Sequence, residues 1–300
     1  QRLVRWVGAS YPAPLYAYSA SGENRMGNLG TSRQGVVPSI GEPCIPVIMV
    51  AYADLDFQEG TDCAKVSRFL NETGYADEPL AKGSVADYFR ACSYGNFVPR
   101  FDVVAKVTLK NGYKHYGAHQ GSLNDAHVTD LVKEAVEQAC AQGVDFAPYA
   151  VDGRAPIVSI IHAGPGEHED YGDDCDDYVW AHFRPMTIPA DGVSFASYII
   201  NNETLRYFKG GVVEKEPMTG IGTFCHEFGH ALGLPDMYDT NGEYDGKADT
   251  PGYWDIMDYQ FMYDGYRPTS YSAYERSMLG WLQIKPLKEN GAYTLMPLDG

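Results

Sequence analysis

Thr223-Phe224-Cys225-His226-Glu227-Phe228-Gly229-His230-Ala231-Leu232-Gly233-Leu234-Pro235-Asp236 is the stretch that decides the reading of this chain. Residues four apart on a helix are neighbours, about 1.1 turns on, so His226 and His230 share a face. Two neutral imidazoles on one face can bind one Zn²⁺, and Glu227 beside the first can activate the bound water. Gly233 tolerates the positive φ that ends a helix, and Pro235 forbids its continuation. The chain therefore turns at Gly233, and the turn swings Asp236 back towards the imidazole face as a third ligand. Three protein ligands with a fourth position open is the arrangement that catalytic zinc requires. Cys225 points about 100° away from His226 around the helix and reads as packing.

The extended pattern His-Glu-x-x-His-x-x-Gly-x-x-Asp resembles the metzincin signature, with Asp where the commoner form has His. Carboxylate oxygen is an ordinary zinc ligand, so the departure is chemically sound. The runs His226–Asp239, Ser84–Phe97 and Val179–His182 are similar to the M6 peptidases, the immune inhibitor A-like metalloproteases of bacteria. The likeness extends from about residue 45 to about residue 285, with the zinc stretch its most specific part. It implies an α/β zincin with a twisted mixed sheet, the zinc helix across the floor of a cleft, and a smaller lower part. It implies a Met-turn beneath the metal, for which Met257 in Trp254-Asp255-Ile256-Met257-Asp258-Tyr259 is the candidate. Tyr259, by analogy with astacin and serralysin relatives, is a candidate donor to the transition-state oxyanion. An edge strand above the cleft would pair with substrate, with Val193–Ile200 or Val179–Phe183 in that role.

Three divisions follow: 1–43 as a surface strap or propeptide remnant, 44–236 as the upper catalytic part, and 237–300 as the lower part. No cysteine-switch motif stands in 1–43, which favours the strap. The expected activity is that of a secreted or cell-envelope zinc endopeptidase acting on protein or peptide, as a monomer. Two other readings stay open: a latent zymogen, and a binding or adhesion protein on a protease fold.

The chain carries 40 Asp and Glu against 23 Lys and Arg, a net charge of −17. That argues against nucleic acid as partner, because phosphate binding needs a basic face. A hydrophobic fraction of 44% supports a buried core and argues against disorder. No apolar run approaches the roughly twenty residues that span a bilayer. Six cysteines without Cys-x-x-Cys spacing make a zinc knuckle improbable and leave disulfides or buried thiols open.

Cys44–Tyr52 and Ala155–Ile161 read as buried strands, and His162–Gly166 as the exit loop of the second. Ser84 is an N-cap with Asp87 in the first turn. Phe101–Leu109 is a strand, with Asn111-Gly112 as a hairpin turn. Asn124–Gln142 is the longest helix, its stripe Val128, Leu131, Val132, Ala135, Val136 and Ala139. Ser270–Leu279 is a helix with Ser272 as N-cap, Glu275 three residues on, and an apolar side of Tyr274, Met278 and Leu279. Leu287–Met296 alternates as a strand would. The acidic loop Glu167–Asp177 (Asp173, Asp174, Asp176) and the stretch Asp239, Asn241, Asp245 are candidate Ca²⁺ sites. His162 and His182 read as neutral structural residues, and the remaining histidines show no ligand spacing.

Overall fold

A computed structural model describes residues 35–121, 123–239, 250–260, 265–284, 289 and 291–294, without the side chains of Tyr259 and Gln260. The core of the fold is a mixed sheet built from β1 (Cys44–Ala51), β2 (Arg100–Thr108), β3 (Arg154–Ala155), β4 (Val158–Pro165), β5 (His182–Ala190) and β6 (Val193–Thr204). The order is β2-β1-β4-β6, all parallel, with β3 parallel to the start of β6 and β5 antiparallel to it. Seven consecutive residues of β1 and all eight of β4 are buried, so both faces of the sheet are covered. Among the described residues β5 pairs only with β6, which makes it an edge strand, and its burial is patchy.

The helices are α1 (Cys63–Asn71), α2 (Val85–Cys92), α3 (Tyr113–Gly117), α4 (Val128–Ala141), α5 (Gly222–Ala231) and α6 (Ala273–Met278), with a small hairpin β7 (Tyr207–Lys209) and β8 (Val212–Lys215) before α5. On α4 the six stripe residues are the buried ones. Ser84 and Asp87 form a reciprocal capping box on α2, and Ser272 and Glu275 form one on α6.

The sequence reading needs correcting at several points. Asn111-Gly112 is no hairpin turn, since β1 and β2 run parallel and Gly112 leads into α3 with φ −75°. Gly112 is required for another reason: an added Cβ would sit 2.1 Å from Oδ2 of Asp54. His162–Pro165 belongs to β4 and does not form its exit loop. Val193–Ile200 lies within the interior strand β6, so it cannot be the edge; β5 is, and Val179–Ala181 lies before it. Of the apolar side expected on α6, Leu279 is buried and Tyr274 packs on the core, but Met278 is exposed, and within the helix the buried residues are Glu275 and Arg276. Most of the proposed strand 287–296 lies outside the described residues, and 291–294 is irregular. All six cysteines are free thiols.

Candidate metal centre

Helix α5 has two faces one turn apart in origin. Phe224 and Phe228 point into an aromatic cluster: Phe101 meets them edge-on at 5.2 and 5.5 Å between ring centroids, and Phe89 meets Phe228 at 5.2 Å. Such pairs contribute about 0.5–1.5 kcal/mol each beyond their burial, which anchors the helix rigidly on the core. The other face carries Thr223, His226, Glu227 and His230, at the i, i+3, i+4, i+7 spacing that aligns side chains. Gly233 has φ +103°, and the backbone leaves the helix there.

That turn brings Asp236 to the imidazoles. Its Oδ1 stands 3.2 Å from Nε2 of His226 and 3.2 Å from Nε2 of His230. Nδ1 of His226 donates to the Ile256 carbonyl at 2.8 Å, and Nδ1 of His230 donates to the Leu234 carbonyl at 2.8 Å. A carbonyl only accepts, so the neutral form of each ring carries its proton on Nδ1 and leaves a lone pair on Nε2. Oδ1 of Asp236 is buried without a hydrogen-bond partner. With both rings neutral, three lone-pair atoms converge, and a cation completes such a set. Tetrahedral zinc with bonds of about 2.0–2.1 Å has ligand–ligand edges of about 3.3 Å, close to the separations seen. The electrostatics show how strongly this set draws positive charge, a proton where no metal ion is bound. Burial alone would lower the His230 pKa, but the Asp236 and Glu227 carboxylates outweigh it and push it up to about 9.

Glu227 is buried beside this set, Oε1 3.9 Å from Nε2 of His226. Burial raises its pKa, with His226 and His230 pulling it back, and the Phe183 backbone N–H of β5 favours its charged form. Phe183 also faces the His230 ring at 6.4 Å. The open edge of the sheet therefore runs beside the carboxylate.

Beneath the helix, Sδ of Met257 lies 2.7 Å from where a Cβ on Gly229 would stand. Met257 is fully buried in a turn over Ile256–Gln260 whose Ile256 carbonyl orients His226. Asp255 holds that turn, its Oδ1 accepting from the Met257 N–H at 2.9 Å. The Tyr259 side chain lies outside the described residues, as do Asn241 and Asp245.

The acidic loop does not gather Asp173, Asp174 and Asp176 around one point. Nη1 of Arg206 takes Asp170 at 2.9 Å and Asp174 at 3.0 Å, and Asp173 is exposed. The guanidinium supplies the positive charge that a calcium ion would have brought. Asp176 instead falls in a group with His119 and Glu167 whose ligand atoms lie within 4.8 Å of one another. No sequence spacing could have joined His119 to Glu167 and Asp176, which stand near the two ends of the acidic loop. His162 is buried, its pKa lowered by burial to about 4, and His182 is engaged by Trp180 and Tyr198.

Two helix-borne imidazoles, a carboxylate from the following turn and a buried glutamate beside them define a protein of the His-Glu-x-x-His metal-centre class. The model for the immune inhibitor A peptidase M6 catalytic domain matches residues 68–285, and the chain belongs to that family. It is 30% identical over 234 residues to immune inhibitor A of Bacillus thuringiensis subsp. alesti, covering 66% of this chain and 33% of that protein. It is 26% identical over 198 residues to the pre-pro-metalloprotease PrtV of Vibrio cholerae serotype O1 (strain M66-2), covering 57% of this chain and 20% of that protein. The chain thus spans about a third or less of the length of these relatives.

Proposed function

We propose that this chain is a zinc-dependent endopeptidase, with His226, His230 and Asp236 as ligands and Glu227 as general base. The observation that carries the reading is the convergence of two Nε2 atoms and the buried Asp236 Oδ1, 3.2 Å from each. Bound there, Zn²⁺ would supply a polarised water and a Lewis acid for the scissile carbonyl. Glu227 takes the proton of the attacking water on its carboxylate and returns it to the leaving amine. The Phe183 N–H orients that carboxylate from the edge strand. The free edge of β5 offers N–H and C=O groups to an extended peptide, holding the scissile bond over Glu227. Met257 is the Met-turn methionine, its sulfur packed on Gly229 under the ligand helix. Residues 35–43 are a strap: the Val37 N–H donates to the Ala231 carbonyl at the end of α5, and Ser39 ties to Leu279 and Trp281. The pre-pro form in the name of PrtV favours a secreted location.

Metal analysis tests the ligand set. About one zinc per native chain is expected, and Asp236→Ala should lose it on dialysis. Equal retention by both would remove Asp236 from the set.

A further inference from the structure

The acidic loop 167–177 is short of positive charge where its two ends meet. Arg206 takes Asp170 and Asp174, and Lys114 takes Asp177 at 2.5 Å. Glu167 and Asp176 are left to an imidazole, that of His119 from the loop between α3 and α4. Nε2 of His119 stands 3.1 Å from Oε2 of Glu167, and a ligand atom of each of His119, Glu167 and Asp176 lies within 4.8 Å of the other two. The group is sheltered on one side: the Glu167 side chain is 9% exposed and that of His119 28%, while Asp176 is open to solvent.

The surroundings add a further carboxylate. Asp125, on the same loop as His119, is buried. Burial pushes its pKa up to about 7, and Glu167 adds to the rise, while the Trp180 N–H that it accepts at 3.3 Å opposes it. Burial also works against a charge on His119, yet Glu167, Asp176 and Asp125 outweigh it and raise its pKa. Carboxylates crowded in this way draw a cation, and a divalent ion brings twice the charge of the proton that an imidazolium would hold there.

The donor set selects the cation. Calcium takes six to eight oxygens, whereas zinc accepts imidazole nitrogen and carboxylate oxygen together. The 3.1 Å between His119 and Glu167 is close to the ligand–ligand edge of about 3.3 Å in tetrahedral zinc. Asp176 is free to close on the pair, since its Oδ1 accepts only from the weak thiol donor of Cys175 at 3.4 Å and the side chain is exposed. The Glu167 N–H donates to the Val179 carbonyl at 3.3 Å, just before β5, so the group stands where the chain enters the edge strand.

We propose that His119, Glu167 and Asp176 form a second zinc-type site, separate from the His226 centre, with water in the fourth position. Bound there, the ion ties the loop after α3 to the acidic loop at the entrance to β5.

The test loads the full chain and its variants with Zn²⁺ by dialysis, removes loosely held metal against metal-free buffer, and counts zinc per chain. About two zinc ions per native chain are expected, one at each centre. His119→Ala and Asp176→Asn should each hold about one, and unchanged melts in chelator show that both fold. His127→Ala removes a neighbouring imidazole, stacked on His115 at 4.6 Å, and should keep both ions. Two zinc ions in both His119→Ala and Asp176→Asn, or a loss confined to His127→Ala, overturns the site. Release of the second zinc by an equal concentration of Ca²⁺ overturns the zinc-type donor set. The two centres fail separately. A single zinc in the native chain that Asp236→Ala removes overturns this site alone. A zinc that survives Asp236→Ala and is lost in His119→Ala supports this site, and if it is the native chain's only zinc it sinks the ligand set proposed for the peptidase.

Discussion

Nδ1 of His226 donates to the Ile256 carbonyl across 2.8 Å, which makes the turn before Met257 the support of the first imidazole. The support is itself supported, because Asp255 accepts from the Met257 N–H and fixes the turn that presents that carbonyl. Partners of this kind set ring orientation and basicity, and their loss typically weakens metal affinity by about 10–100-fold. Asp255→Ala should therefore bind zinc more weakly by that factor with all three ligands intact. Competition with a chelator of known affinity measures it, and unchanged affinity would show that the ring is held without the turn.

Gly229 sits where the helix presses on Met257. Alanine on a helix is normally favoured over glycine by about 1 kcal/mol. Here its Cβ would meet Sδ of Met257 at 2.7 Å and the Tyr271 hydroxyl at 3.1 Å. Overpacking of this kind costs about 1–3 kcal/mol, which exceeds the propensity gain. Gly229→Ala should destabilise the fold in denaturant melts despite the better helix former. A stabilised variant would mean that Met257 yields freely.

Asp255 and Glu275 form a buried pair of carboxyls, each with an oxygen that meets no donor when both are ionised. Burial, with Asp255 adding to it, raises the pKa of Glu275 well above its ordinary value, and burial raises that of Asp255 although its hydrogen bond with Glu275 opposes the rise. A carboxyl whose folded pKa is raised contributes most below its unfolded pKa and loses that contribution as pH rises through the folded one. Stability should thus decline through this pair as pH rises above the ordinary carboxylate range. Glu275→Gln keeps the capping geometry, since glutamine serves at that position too. It should melt with a flatter pH dependence than the native chain. Identical pH profiles for the two would show that the pair does not titrate there.

On the proposed ligand set, Asp236 would also set the working pH. An anionic carboxylate makes the metal a weaker Lewis acid than a third imidazole would. Cleavage should therefore be fastest at neutral pH or above, and a maximum well below pH 6 would contradict an Asp236 ligand.

Much of this site was legible because its grammar is local. The spacing of His226 and His230 needs only a helix, and the return of Asp236 needs only the turn at Gly233. The capping boxes at Ser84 and Ser272 and the stripe of α4 are local in the same sense. What escaped depends on residues distant in sequence. Gly112 carries the composition of a hairpin, but its role is to admit Asp54 from another loop. The acidic loop looked like a cation site because Arg206, more than thirty residues on, was not visible as its counter-charge. The buried Glu275 on α6 broke an expected apolar face for the same reason: its partner Asp255 comes from the turn under the metal helix. Which strand forms the edge is a property of the whole sheet and not of any one segment.

The most direct test of the central claim compares the native chain with Glu227→Ala for zinc content and for cleavage of an unfolded protein. The account predicts about one zinc per chain in both, with cleavage by the native chain alone. Zinc-loaded Glu227→Ala cleaving as fast as the native chain would contradict the role of Glu227, and a native chain that takes up no added zinc would contradict the metal centre itself.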